Sequence, residues 1–238
     1  MKIISFDIGI NNFSYAQMET NDENFNILTW DNVRIKHIEP PLVCCEKNKK
    51  NPNKICGKTA RYYTDLENKI AYCGIHKKNK ENIEKIVVKK KKEKFNLLEI
   101  NLLLIEKLDS LDLGDVDYVL IEQQPVANQR MKNISLCLFN YFSIRGITDK
   151  LENKIKDILF ISPRNKLKCY DGPEVEIKSK NLYTKRKKLA IEYCKYFLKD
   201  YEKDLDFFNS LKKKDDAADC FLQGLWFLKN KKFKIGRA

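Results

Sequence analysis

The chain opens on MKIISFDIGINNFSY, and this stretch constrains the rest more than any other. Ile3, Ile4, Ser5 and Phe6 form a short β-branched and aromatic run with the composition of a buried strand. Asp7 ends that run, and Gly9 with Asn11-Asn12 turns the chain. A second apolar piece, Phe13 to Met18, comes straight back, so the two form an antiparallel hairpin with one carboxylate beside the fold. A glycine two residues after an aspartate lets the backbone approach a metal or a phosphate. Without further acids, the same pattern is an ordinary hairpin with a solvated Asp.

Further acids do occur. Asp117 to Ile121 (DYVLI) is a continuous apolar strand of the kind buried in a sheet centre, and Glu122 sits at its carboxyl end before Gln123, Gln124 and Pro125. Ligands collect at the carboxyl ends of parallel strands. Near the far end, KKKDDAADCFLQGLWFLK places Ala217, Ala218, Phe221, Leu222, Leu225 and Trp226 on a helical apolar face. Asp216 and Asp219 share one side of that helix start, with Cβ atoms roughly 5–6 Å apart. Acids there suit the helix dipole, but three in five residues, counting Asp215, exceed what capping needs. The small residues beside them let the helix lie tightly on a sheet, which brings the acids to Asp7 and Glu122. The role of Asp215 stays open.

Between these points the pattern alternates. Residues 25–38 read as a third strand that completes a meander, ended by Pro40-Pro41. A charged stretch from Lys77 to Lys94, with the run Lys89 to Lys92, leads into an amphipathic helix whose face is Phe95, Leu98, Leu102, Ile105 and Leu108. A second helix covers 127–147, lined by Met131, Ile134, Leu138, Phe139 and Phe142, with Leu136, Tyr141 and Ile144 on further faces. So wide an apolar surface is either buried or packed on a second subunit. The strand 156–162 runs into a basic loop with Arg164, Lys166 and Lys168, and Lys185 to Lys188 then open a helix to about Leu198. A charge run is usually a solvated face, but after a core strand it can grip a phosphate backbone.

Residues 42–78 differ from the rest. They hold Cys44, Cys45, Cys56 and Cys73, half of the eight cysteines, and His76, one of two histidines. Cys73-x2-His76 has metal-ligand spacing, and Cys56-Gly57 resembles the tight turn of a zinc knuckle. Too few apolar residues lie between these positions to form a core, so a metal has to hold the segment. The ligand set is Cys45, Cys56, Cys73 and His76. Cys44 is the alternative first ligand, and Cys45 is preferred because Val43-Cys44 can continue an apolar contact.

The 46 Lys and Arg against 33 Asp and Glu give a net charge of +13, which points to a polyanion, most often nucleic acid. No apolar run approaches the ~18 residues of a membrane span, and no secretory signal pattern precedes the first strand. The expected compartment is intracellular and reducing, where cysteines serve as metal ligands or core residues rather than disulfides.

In order, the chain offers a hairpin Asp, a strand-end Glu, a basic loop after a strand, and Asp-x-x-Asp on the last helix. FDIGINN, VLIEQQP and DDAADCFLQ resemble the RuvC-like Holliday junction resolvases of the ribonuclease H-like superfamily, most closely the branch of poxviruses and other large DNA viruses. The resemblance covers nearly the whole chain except 42–78. It implies an α/β fold with a ribonuclease H-like mixed five-stranded sheet flanked by helices, built from 1–41 and 79–238, with 42–78 as a small zinc-binding insertion. It also implies that Asp7, Glu122, Asp216 and Asp219 hold Mg²⁺, that Lys166 contacts the scissile region, and that lysines 185–188 form a further basic patch. The implied protein is a homodimer with the helix after Glu122 at or near its interface. It acts on branched DNA, not on membranes. If viral, it works in the cytoplasm of the infected cell or in the virion.

The residue types carry the chemistry independently. Four carboxylates can hold two Mg²⁺ roughly 4 Å apart, one activating water and one stabilising the leaving 3′ oxygen; Mn²⁺ can substitute. Paired cuts across a branch need two such sites related by symmetry. The residue types support a Mg²⁺-dependent endonuclease; that it resolves four-way junctions by paired symmetric nicks is what the resemblance implies. Alternatives are another ribonuclease H-like metal nuclease and a non-catalytic zinc-bearing DNA-binding protein, although pure binding gains nothing from carboxylates facing phosphates. A sugar-kinase or actin-type ATPase would need glycine-rich loops, and eight scattered glycines do not supply them.

Overall fold

Strand β1 (Lys2–Asp7) is buried from Ile3 to Phe6, as its β-branched and aromatic run requires. It pairs antiparallel with β2 (Phe13–Asn21), with Asp7 opposite Ser14, and β2 pairs antiparallel with β3 (Asn24–Val33). The computed structural model describes residues 1–9, 13–21, 24–35, 42–48, 50–78, 80–86, 96–179 and 181–235. The Asn11-Asn12 turn, residues 36–38 of the expected third strand, Pro40-Pro41, Phe95 and the Lys89 to Lys92 run lie outside them.

Two compact units make up the chain: Met1–Lys36 with Phe95–Ala238, and His37–Lys94. In the second unit β4 (Lys47–Asn48) and β5 (Asn51–Ile55) form a hairpin. Strands β6 (Tyr62–Asp65), β7 (Ile70–Tyr72) and β8 (Glu84–Lys85) form a three-stranded sheet in the order β7-β6-β8. Pairing of Tyr62 and Tyr63 with Lys85 and Glu84 carries this unit beyond residue 78.

The first unit resumes with helix α1 (Leu97–Asp109), capped by the Asn96 side chain accepting from Leu98 N. Strand β9 (Tyr118–Glu122) follows, then α2 (Gln129–Phe142), which passes into a wider turn over Ser143–Thr148. Strand β10 (Asp157–Ile161), a short 3₁₀ turn (Lys166–Cys169), α3 (Leu182–Phe197), α4 (Glu202–Ser210) and α5 (Lys214–Ile235) complete it. The sheet order is β10-β9-β1-β2-β3, with β9 and β10 parallel to β1: a mixed five-stranded sheet flanked by helices.

Period-two alternation assigns the faces. Ile3 and Leu120 join the core under α3, α4 and α5, whereas Ile4, Phe6, Val119 and Ile121 join the core under α1 and α2. α1 corrects part of the expected face: Leu108 is buried as expected, but its buried neighbours are Ile100 and Leu104, while Leu98 and Leu102 are 63% and 58% exposed. Both stripes have helical spacing, and only packing decides between them. Helix α4 lacks a counterpart among the expected elements. Its Phe208 is fully buried and stacks on Trp30, ring centroids 5.3 Å apart.

α5 lies flush on the sheet because Gly224 has no side chain. A Cβ there would meet Met18 Cε at 2.1 Å, Ile3 Cδ1 at 3.2 Å and Ser5 Cβ at 3.4 Å. Gly224→Val is therefore expected to lower unfolding stability by about 1–3 kcal/mol through overpacking, read as a drop in urea midpoint.

Candidate active site

Asp7 is two residues beyond Ser5 and four beyond Ile3, so it points to the α5 side of the sheet, as does Glu122, two beyond Leu120. The parallel register sets Phe6 beside Ile121, which puts Asp7 and Glu122 next to each other at the carboxyl ends of their strands. Beyond Ile161, opposite Glu122, β10 runs into the 3₁₀ turn that buries Lys166. From the helix side comes Asp219, one turn before Gln223. Gln223 is buried and donates through Nε2 to Ser5 Oγ (3.0 Å) and Phe6 O (3.2 Å).

The Lys166 ammonium is the meeting point. Nζ lies 2.8 Å from Glu122 Oε1, 3.1 Å from Asp219 Oδ2 and 3.6 Å from Asp7 Oδ1. Burial works against the lysine's charge, but the three carboxylates outweigh it and hold its pKa well above the ordinary value. Burial raises the Asp7 carboxyl well above the usual carboxylate range, and the neighbouring Glu122 charge adds to this. Glu122 goes the other way: burial is outweighed by the Lys166 charge and by hydrogen bonds from Asp7, Lys166 and Gln124. Asp219 is raised, chiefly by burial.

Asp216 lines the same cleft, about 370 Å³ in volume, but its ion pair is with Lys187 at 3.7 Å rather than with Lys166. Lys187 also bonds Asp215, which lowers the Asp215 pKa against the effect of burial. Thus Asp7, Glu122, Asp219 and Lys166 come together, Asp216 stands at the margin, and Asp215 serves to hold Lys187. Tyr183, Arg186 and Lys187 of α3 complete the cleft wall. The lysine run at 185–188 signalled two of these, while Tyr183 carried no signal of its own. Gln223 and Gln124 were also missed. A glutamine on the buried face of an apolar helix is the signal that could have found the first. Gln124 Nε2 donates to Glu122 Oε2 at 3.2 Å.

The second unit holds another cluster. One ligand atom each from Cys44, Cys56, Cys73 and His76 lies within 4.8 Å of the others. Cys44 Sγ is 3.3 Å from His76 Nδ1. Cys45 is exposed and outside the set, which corrects the sequence preference. Val43 bridges Thr59 with its side chain outward, so the next residue, Cys44, turns in and is fully buried.

Lys166→Met would leave Glu122 and Asp219 buried without a counter-charge. The Glu122 folded-state pKa would then rise above its unfolded value and the already raised Asp219 would rise further, and a raised pKa means stability present at low pH and lost as pH rises. In metal-free urea unfolding the loss should reach about 3–5 kcal/mol near pH 8 and shrink towards pH 4.

No protein-family model matches the chain. It is 33% identical over 240 residues to an uncharacterized protein of Acanthamoeba polyphaga mimivirus, covering 91% of this chain. The chain spans about half of that relative's length, 56%. Two solved structures of the fowlpox virus Holliday junction resolvase superpose on it. One is the resolvase (TM-score 0.51, 15% identity, 97% of this chain and 99% of that one) and the other its complex with substrate Holliday junction DNA (TM-score 0.50, 16% identity, 97% and 98%). With its mixed five-stranded sheet and three carboxylates gathered at the strand ends, the chain has the fold of the fowlpox virus Holliday junction resolvase.

Proposed function

We propose that the protein is a Mg²⁺-dependent, structure-selective endonuclease that resolves four-way DNA junctions by paired symmetric nicks, acting as a homodimer. The acid cluster carries this reading: carboxylates from β1, β9 and α5 converge on one ammonium, in a chain of net charge +13 with a viral resolvase fold. The donors are all oxygens and already surround a positive charge, so the set suits a hard cation such as Mg²⁺ or Mn²⁺. Asp7, Glu122, Asp219 and Asp216 would hold it. When bound, a metal pair activates water and stabilises the leaving 3′ oxygen.

The chain's own residues do the rest. Lys166 supplies a preorganised positive charge beside the reacting phosphate. Arg186 and Lys187, from α3, attract the phosphate backbone into the cleft. Asp7 has to give up its proton to act as a ligand, so the competent fraction grows with pH. Two copies are needed for symmetric cuts, and the α1–α2 side offers apolar surface for such pairing: Leu98, Leu102, Leu136 and Ile144 are exposed there.

The test is to offer labelled four-way junctions, flaps and RNA–DNA hybrids with Mg²⁺ and to map the cuts. Symmetric nicks in opposite strands of the junction are expected. Asp7→Asn and Asp219→Asn should each lower cleavage by roughly 10²-fold or more while junction binding, read by gel shift, persists. Full activity in either variant would overturn the assignment.

The second unit, in the same reading, holds one structural Zn²⁺ on Cys44, Cys56, Cys73 and His76, a donor set that closes a tetrahedral site. Metal analysis should return about one zinc per chain. Cys56→Ser should lose it and make residues 42–78 protease-sensitive, while Cys45→Ser keeps it.

A further inference from the structure

The β4–β5 hairpin does nothing for the core of its unit. Every residue of β5 is exposed, Ile55 among them, and in β4 Lys47 is exposed and Asn48 half-buried. A two-stranded hairpin with no packed face is at best marginally stable in water. This one is anchored only at its base, by the cysteine cluster. Cys56 N donates to Glu46 O (2.7 Å), Gly57 N to Cys44 O (3.2 Å) and Cys44 N to Lys58 O (2.8 Å). Gly57 takes φ +62°, the left-handed conformation glycine adopts without strain, so the chain turns immediately after its ligand.

What this anchored ribbon presents is charge of one sign. Residues 47–61 contain five Lys and one Arg and no Asp or Glu. Lys47, Lys50, Lys54 and Lys58 are all exposed, and none has an acidic partner among the described residues. The acids nearby are engaged with other groups: Glu46, at the base of the hairpin, pairs with Lys80, Asp65 bonds Asn68, and Glu84 bonds Tyr63. The three-stranded sheet of the same unit, by contrast, carries both signs, with Asp65, Glu84 and Lys85 on its strands.

We infer that the β4–β5 hairpin is a second DNA-binding element, gripping a duplex arm through its backbone phosphates. This rests on the nuclease reading for the choice of DNA as ligand. Lysines and asparagines on a two-stranded ribbon suit it: such ribbons fit the ~12 Å major groove, and lysine ammonium groups contact phosphates as point charges. The contacts set affinity and carry no sequence preference.

The experiment uses the full chain without Mg²⁺ and without chelator, so that zinc stays in place. Fluorescence anisotropy on a four-way junction and on a plain duplex is followed across a salt series. K50A/K54A/K58A should weaken both substrates by about tenfold and lower the salt slope by up to about 2.7, from roughly 0.9 per phosphate contact. The charge-preserving K50R/K54R/K58R should retain wild-type values, and zinc content should be unchanged in both. Unchanged affinity and slope in the alanine variant would overturn the inference. So would loss of binding to vesicles containing phosphatidylserine with DNA affinity intact, which would assign the hairpin to a lipid surface. If the wild-type chain cuts no junction but its DNA binding still depends on these lysines, the nuclease reading fails and the hairpin assignment stands.

Discussion

Residue 224 decides how close α5 can come to the sheet. A side chain there would have to displace the end of Met18 and press on Ile3, and a bulky one would hold the helix off β1. Without one, Ala217, Ala218 and Phe221 bury completely, Trp30 Nε1 reaches Ala217 O at 3.2 Å, and Gln223 bonds the carbonyl of Phe6, the residue before Asp7. Asp219, one turn earlier, is thereby delivered to the ends of β1 and β9. The acids would not assemble of their own accord. Each buried charge costs several kcal/mol even after relaxation, and like charges at this range repel. Packing of apolar and small residues imposes the cluster, and the cluster depends on it.

Lys166 then determines the protonation pattern. Asp7 and Glu122 are chemical neighbours in similar burial, yet their pKa values move in opposite directions. The difference is one of distance and hydrogen bonds. Glu122 has the ammonium at 2.8 Å and an amide from Gln124, whereas Asp7 has the ammonium at 3.6 Å and faces the Glu122 charge. Protonation is therefore favoured on the Asp7 side of the pair. Two coupled carboxylates sharing a site resolve their repulsion in this manner, and the pair titrates as a unit.

The sheet and three of the four central residues were legible because each sits at the end of a strong local signal. Asp7 follows a β-branched run, Glu122 a continuous apolar strand, and Asp219 belongs to an Asp-x-x-Asp on an alanine-rich helix. What was not legible depends on choices that local pattern leaves degenerate. α1 carries two apolar stripes of equal spacing, and only contact with Phe142 and its neighbours selects Ile100, Leu104 and Leu108. α4 is short, and its single fully buried side chain, Phe208, is recognised by a tryptophan 178 positions earlier in the chain. The choice between Cys44 and Cys45 turned on which of two adjacent residues faces inward, and one isolated bridge at Val43 settles it.

The two clusters of candidate ligands are built by opposite means. At the carboxylates, a packed core positions the side chains and a lysine supplies the positive charge, so the arrangement needs no ion to exist. At the cysteines, the buried apolar neighbours are few, Ala60, Ala71 and Tyr72, and Cys44, Cys56, Cys73 and His76 converge with no ion pair to them among the described residues. The extra acid beside the active site fits the first strategy. Asp215 does not face Lys166; it grips Lys187, which also reaches Asp216. A cation on the cleft wall lowers the repulsion that a polyanion would meet on approaching three acids. Surface lysines act over a Debye length of about 10 Å in 0.1 M salt, too far and too screened to cancel charges this local. Lys187 stands 3.7 Å from Asp216 on the wall of the same cleft, and Asp215 keeps it there.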